Sequence, residues 1–318
     1  MNEPIPMERP MVSVWMITYN HEKYIRACLD SVVMQKTNFR FEVVIGEDCS
    51  TDGTKAIVRE FENRFPEIIK PIYQKTNQGA YANSLKFVVP QLSGKYITPL
   101  EGDDYWTDPL KLQKQVDAME ADLSLSMVLT DAQKSIDGKL VPFYPGKLPP
   151  EKFDLRQFLT DRHLVATCTV MLKRDAVEEA VRALANSDGK IFHMDFFIWC
   201  IAGRQGQYRF LDIKTGVYRI HSSSILRSTS RNITLQRGKE MNHFLVDYLG
   251  SEYKRHFLAG DWWYHLEFAF LAIQEKQWLR SIAFLLRSLI SATRYGQGRQ
   301  LRIMRDYLYR VRNRRVIN

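Results

Sequence analysis

Apolar runs that end in polar residues recur along the first hundred positions, and each of the first three leads to apolar residues at helical spacing. Val12 to Thr18 reads as a strand that ends at Tyr19-Asn20. Beyond it, Tyr24, Ile25, Cys28, Leu29 and Val32 share one face of a predicted helix. Phe41 to Gly46 forms a second buried-strand run, closed by a polar turn from Glu47 to Gly53. Ala56, Ile57, Phe61 and Phe65 mark the next helix face, with Asp52 placed as its N-cap. A third strand over Ile68 to Tyr73 runs into Asn77-Gln78-Gly79. Ala80 to Val88 then carry a helical pattern, and Lys95 to Leu100 make a fourth strand. Such alternation predicts an α/β fold with a parallel sheet wrapped by helices.

In open sheets of this kind ligands bind outside the carboxyl ends of the strands. Thr18 to Asn20, Asp48, Asn77 to Gly79 and the cluster Glu101-Gly102-Asp103-Asp104 all follow strands, so one crevice gathers them. Taken alone, the acidic cluster reads as a solvated turn. In this company it reads as a seat for a hard divalent cation, Mn²⁺ or Mg²⁺, which takes one or two carboxylates and completes its shell with substrate phosphates. Asp48 can accept from a pyrimidine N–H or a ribose hydroxyl, and Tyr19 offers a ring to a base. No Gly-x-Gly-x-x-Gly follows the first strand and no Gly-Lys-Ser/Thr loop occurs, which sets aside dinucleotide and P-loop readings.

These residues carry a resemblance. Positions 11 to about 222 resemble the inverting, nucleotide-sugar-dependent glycosyltransferases of family 2, which have the GT-A fold, a Rossmann-like mixed sheet flanked by helices. Thr18-Tyr19-Asn20 matches the family's first-strand element. Glu47-Asp48-Cys49-Ser50-Thr51-Asp52-Gly53-Thr54 matches its acidic pair and following turn. Asn77-Gln78-Gly79 with Asn83 matches the next segment, and Glu101 to Asp104 the motif called DxD. The resemblance implies donor contacts by Thr18, Tyr19, Asn20, Asp48, Asn77, Gly79, Asp103 and His221. It implies metal ligation by Asp104, Asp103 and His221. His221, in Tyr218-Arg219-Ile220-His221, resembles the family's late Tyr-Arg-x-His element, and Arg219 and Arg227 stand near it for phosphates.

Asp195 occupies the segment in which family members place a general base. Met194 departs from the usual pair of acids there, which leaves Asp195 the carboxylate candidate of the segment. Capping of the apolar helix Phe196 to Ile201 is the competing reading. The resemblance implies transfer from a nucleotide-diphosphate sugar, UDP first and dTDP or GDP next, to a surface polysaccharide, lipooligosaccharide or lipid-linked glycan. A glycosyltransferase-like binding or scaffold module without catalysis is the rival.

The chain has 318 residues, 45% of them hydrophobic, enough for a catalytic domain over 1–230 and a helical, basic extension over 231–318. Cys28, Cys49, Cys168 and Cys200 lack Cys-x-x-Cys spacing, so neither a disulfide framework nor a metal knuckle is expected. Reduced thiols and an N-terminus without a signal-peptide pattern predict a cytoplasmic protein, peripheral at most to the inner face of the plasma membrane. No apolar run is long enough to span a bilayer.

Charge is unevenly placed. From residue 201 onward 21 Lys/Arg face 8 Asp/Glu, a net of +13, against −4 in the first 200. Leu301, Met304, Leu308 and Val311 share a helix face among arginines, a pattern suited to an anionic membrane surface or to packing on the protein itself. Nucleic acid is set aside as a partner, because base-stacking aromatics are not interleaved with those arginines. The helical patterns at Trp262 to Leu271 and Trp278 to Leu289 predict a hairpin packed on the catalytic domain or on a second copy, as core more than as a sugar platform. Pro142 to Pro150 reads as a loop on the acceptor side, and Ser222 to Ser230 as a lid over the diphosphate.

Overall fold

The computed structural model describes residues 9–161, 164–185, 193–221, 231–258, 261–274 and 276–295. The chain divides into two compact units. The first comprises Met1–Phe158, Arg162–Ala183 and Ile198–Ser224, the second Leu159–Asp161, Leu184–Phe197 and Ile225–Asn318. The first unit holds one mixed sheet. Its strands are β1 (Val12–Thr18), β2 (Phe41–Glu47), β3 (Ile69–Tyr73), β4 (Tyr96–Pro99), β5 (Tyr105–Trp106), β6 (Leu125–Ile136), β7 (Lys139–Pro142), β8 (Lys152–Phe153), β9 (Met171–Lys173) and β10 (Gln207–Ile220).

The order β3-β2-β1-β4 is parallel throughout, as the alternating pattern predicts. Beyond β4 the sheet becomes mixed. β9 runs antiparallel to both β4 and β6, β10 lies parallel to β6, and β5 closes antiparallel on β10. β1 and β2 are buried along nearly their whole length, the signature of strands covered on both faces. Helices α1 (Ile25–Val33) and α2 (Thr54–Arg64) supply Ile25, Leu29, Val58 and Phe61 to that core.

Two sequence expectations shift by a residue. Tyr24 precedes α1 instead of lying within it. Gly53 takes the N-cap position of α2, while Asp52, one residue earlier, accepts the Thr54 N–H at 3.0 Å in a tight local turn. The helix expected over 80–88 is a single α turn, α3 (Ala80–Ala82), followed by wider π-type turns from Asn83 to Val88.

The two ends of the strands differ chemically. At the amino-terminal edge, Glu42 is buried and accepts from Ser13 Oγ at 2.6 Å, Ser93 Oγ at 2.7 Å and Lys70 Nζ at 2.5 Å. Burial pushes the Glu42 carboxyl up, but those hydrogen bonds, Lys70 first, outweigh it and hold it below its ordinary value. That edge is therefore closed and satisfied. The carboxyl edge is not.

Among the described residues the second unit is helical, holding the first turn of Met194–Gln205 together with the α-helices Arg231–Leu249, Lys254–Leu258, Asp261–Gln274 and Trp278–Tyr295. Phe197 packs on Phe244 and Tyr248, each with ring centroids 5.7 Å away. Asp261–Gln274 and Trp278–Tyr295 form the expected hairpin, but its packing corrects the expectation of a leucine core. Ser281, Ser288 and Ser291 are buried, whereas Ile282, Leu285, Leu286 and Leu289 are exposed. Half-buried Phe284 lies among these serines and stacks on Phe268 of the first helix, with ring centroids 5.4 Å apart, while the leucines and isoleucines of the second helix are turned outward. The segment from Leu301 to Val311, expected as a basic amphipathic helix, lies outside the described residues, as do Ser222 to Ser230. Among the described residues no helix is long and apolar enough to cross a membrane.

Candidate active site

The carboxyl ends of β1, β2 and β4 adjoin because these strands are neighbours. Asp48 N–H donates to Thr18 O at 3.0 Å and Gly102 N–H to Ile17 O at 3.1 Å, so the loops after β2 and β4 flank the end of β1 on its two sides. Gly102 makes the second approach feasible. A Cβ there would sit 2.6 Å from Thr18 Oγ1 and 3.0 Å from His21 Nδ1.

The loops after β1 and β2 are sewn together. Asn20 Oδ1 accepts the Thr51 N–H at 2.9 Å, Asn20 N–H donates to Ser50 Oγ at 3.0 Å, and His21 N–H donates to Thr54 Oγ1 at 2.8 Å. Asn20 and Cys49 hold φ of 54° and 60°, a left-handed backbone uncommon outside glycine. Asn20 thus uses its side chain to shape the crevice, a task its motif does not reveal. Tyr19, by contrast, is 40% exposed, and its ring is available to a ligand.

Asp48 is buried, and both of its oxygens are engaged. Oδ1 accepts the Gln78 N–H at 2.8 Å and Oδ2 the Gly79 N–H at 2.9 Å, while Asn77 Oδ1 also accepts from Gly79 at 3.0 Å. Gly79 needs no Cβ at its φ of 78°. The loop after β3 is therefore clamped by Asp48. Asn83 is structural instead of facing a ligand. It is buried, accepts from Gln74 Nε2 at 3.0 Å and donates to Gly46 O at 2.9 Å. We expect Asn83→Ala to lower unfolding free energy by about 1–3 kcal/mol through the stranded Gln74 and Gly46 groups, read as a lower urea midpoint at unchanged m-value.

Asp103 and Asp104 sit at the heart of the carboxyl edge, both buried. Asp103 Oδ2 lies 3.0 Å from His221 Nε2, and Asp104 Oδ1 accepts the Arg219 N–H at 2.8 Å. The last residues of β10 thus meet the acidic loop, uniting two motifs far apart in sequence. His221 stacks on Tyr24, with ring centroids 4.6 Å apart, and Arg219 lays its guanidinium 4.2 Å from the Tyr105 ring centre and 5.3 Å from that of Tyr24. Neither tyrosine figures in the sequence-based candidate list. Tyr24 reads there as one more apolar helix position, and nothing local marks it as a partner of His221.

Asp103 Oδ1 and Asp104 Oδ2 are buried and have no nitrogen or oxygen partner. Burial drives the Asp104 carboxyl well above the usual carboxylate range, and the charges of Asp103 and Glu101 add to the shift. Its remaining neighbour is the Cys168 thiol, a weak donor, itself pushed up by burial and then by the Asp104 charge. Cys168 is held in place from behind, where Trp106 Nε1 donates to its carbonyl at 2.8 Å and Gln115 Nε2 to Thr169 O at 2.8 Å. His21 is kept below its ordinary value chiefly by burial, with Asp103 opposing and His221 adding to the effect.

Among the described residues no three His, Cys, Asp or Glu side chains form a ready metal cage. The pair of buried carboxylates with one unsatisfied oxygen each nonetheless fits a hard cation that draws its remaining ligands from phosphate and water. Asp195 lies elsewhere in the chain, in the first turn of the helix Met194–Gln205, within the second unit. That helix begins before Asp195, so the acid lies inside its first turn instead of capping it.

A mixed sheet flanked by helices, with acidic loops at the carboxyl ends of parallel strands, defines a GT-A glycosyltransferase fold. A Staphylococcus aureus TarS crystal structure in complex with UDP has the same architecture, at a TM-score of 0.58 and 18% identity over 87% of this chain and 80% of that one. The Pyrobaculum calidifontis mannosyltransferase in complex with GDP-Man and Mn²⁺ superposes at a TM-score of 0.51, with 17% identity over 96% and 82% of the two chains. The profile of glycosyl transferase family 2 matches residues 13–181. The chain belongs to that family. Rv1520 of Mycobacterium tuberculosis, described only as an uncharacterized protein, is 32% identical over 218 residues, 68% of this chain and 61% of the relative's length. TarS of Staphylococcus aureus, a poly(ribitol-phosphate) beta-N-acetylglucosaminyltransferase, is 33% identical over 132 residues, 41% of this chain and 22% of that one.

Proposed function

We propose that this protein transfers a sugar, with inversion, from a nucleotide-diphosphate donor to a hydroxyl of a cell-surface glycan, with UDP-sugars as the favoured donors. The observation that carries the reading is the pair of buried carboxylates, Asp103 and Asp104, each with an oxygen left unsatisfied at the carboxyl edge of the sheet. A family relative that acts on poly(ribitol-phosphate), and the UDP complex of that same protein, support the donor and acceptor classes.

Each residue has a task set by its environment. Asp48 spends one lone pair of each oxygen on the loop after β3 and keeps its remaining acceptor capacity for a base N–H or a ribose hydroxyl. Tyr19 lays its exposed ring against the base. Asp104 and Asp103 would hold a Mn²⁺ or Mg²⁺ ion, with His221, 3.0 Å from Asp103, as a further ligand or a contact to the diphosphate. When bound, such an ion offsets the negative charge that builds on the departing diphosphate. Arg219, pinned over Tyr105, adds fixed positive charge at the same edge.

Asp195 takes the proton of the acceptor hydroxyl. As that oxygen bonds to the anomeric carbon, the bond from carbon to the phosphate oxygen breaks on the opposite face, which inverts the centre. Thermal denaturation with a panel of nucleotides tests the donor assignment. UDP with Mn²⁺ at about 100 times its Kd stabilises by about 2.7 kcal/mol, roughly 5 °C for a domain of this size. The shift shrinks in EDTA. A chain that neither responds to any nucleotide diphosphate nor hydrolyses any nucleotide sugar is a binding or scaffold module instead.

A further inference from the structure

The helix Trp278–Tyr295 turns its leucines and isoleucines away from the hairpin. Its inner face carries Ser281, Ser288 and Ser291, at 8% exposure or less, with Phe284 stacked on Phe268 among them. Its outer face carries Leu279 at 86%, Ile282 at 55%, Leu286 at 56% and Ile290 at 60% exposure. These four positions recur every three or four residues and line one stripe along a helix about 27 Å long. Scattered surface leucines need no explanation, but a continuous apolar stripe over a row of buried serines marks a surface with an occupant.

Charge selects that occupant. Arg280 and Arg287 are exposed on the same helix. From residue 278 to 318 the sequence has ten arginines and a single acid, Asp306. A two-fold contact between copies through this stripe would bring Arg280 and Arg287 of both copies to one seam, a like-charge arrangement that opposes association. A partner that is apolar within and anionic at its surface satisfies both features at once. We propose that the outer face of Trp278–Tyr295 docks in the plane of an anionic lipid bilayer, its leucines and isoleucines among the acyl chains and its arginines among the headgroups. The helix lies on the membrane instead of crossing it, consistent with its lack of a spanning apolar window. The proposal stands on this helix and does not depend on which sugar, or any sugar, is transferred.

Co-sedimentation of the full chain with vesicles tests it. The wild-type protein is expected to pellet with phosphatidylglycerol-containing vesicles, to bind pure phosphatidylcholine at least about tenfold more weakly, and to be released as salt is raised. The quadruple variant Leu279→Ser, Ile282→Ser, Leu286→Ser, Ile290→Ser should lose at least about tenfold in partitioning onto the anionic vesicles. Its circular dichroism and donor hydrolysis should match the wild type, since these side chains are exposed and outside the proposed site. The pair Arg280→Gln, Arg287→Gln should weaken binding to anionic vesicles alone. Wild-type binding that survives the quadruple substitution, or no binding to anionic vesicles, overturns the proposal. So does a wild-type dimer in light scattering that ignores vesicles and becomes a monomer in the quadruple variant, which assigns the stripe to a second copy.

Discussion

Asp195→Asn is expected to lower kcat by about 10²- to 10⁴-fold, the usual contribution of a positioned general base, while UDP affinity measured by titration calorimetry should stay within about twofold. Asn preserves the size and shape of the side chain and removes only the ability to take a proton. Because Asp195 lies in the first turn of its helix, its charge there also interacts with the helix dipole. That interaction is worth about 0.3–1 kcal/mol, so the variant loses at most that much stability. The structural alternative therefore makes a distinct forecast of slightly lower stability with normal turnover. Initial rates at saturating donor, set beside urea unfolding, separate the two, and near-normal kcat removes Asp195 from the chemistry.

The second large effect is at Asp104. Asp104→Asn should reduce Mn²⁺-dependent affinity for UDP by at least about tenfold, because it replaces one carboxylate of the proposed cation seat with a neutral amide. Asn can still accept the Arg219 N–H, so the end of β10 keeps its anchor. Without metal the same substitution acts in the other direction. Burial, with Asp103 and Glu101 nearby, raises the Asp104 pKa in the folded protein. Stability tied to this group is full below its unfolded pKa and is lost as pH rises through the folded value, so at neutral pH the buried carboxyl costs stability that Asn recovers. Melting temperatures in EDTA should rise in the variant, whereas the increment produced by Mn²⁺ and UDP should shrink. Unchanged metal-dependent affinity would contradict the ligand assignment.

The first four strands and their loops were legible because each buried strand is a continuous apolar run closed by polar residues, a local signal. Asp48, Asp103 and Asp104 could be placed at one edge of the sheet on that basis alone. Beyond residue 105 the fold relies on pairings that local pattern does not encode. β9 inserts antiparallel between β4 and β6, and the long β10 returns beside β6 through irregular register. The contact of His221 with Asp103, and its stack on Tyr24, depend on that return. Asn20 and Asn83 were legible as motif members but not as the loop and strand fasteners they are, since hydrogen-bond partners distant in sequence decide the matter. The outward turn of Ile282, Leu286 and Ile290 is not written in the sequence, because apolar spacing reports that a helix has a greasy side and does not say toward what it points.

The clamp of Asp48 on the backbone of Gln78 and Gly79 has a thermodynamic meaning for the proposed donor site. A loop already fixed by two charge-assisted bonds has given up its conformational freedom during folding, so a nucleotide bound there would meet a surface whose ordering entropy is spent. Affinity at such an edge would then be governed by how fast the ligand departs more than by any wait for the polypeptide to rearrange.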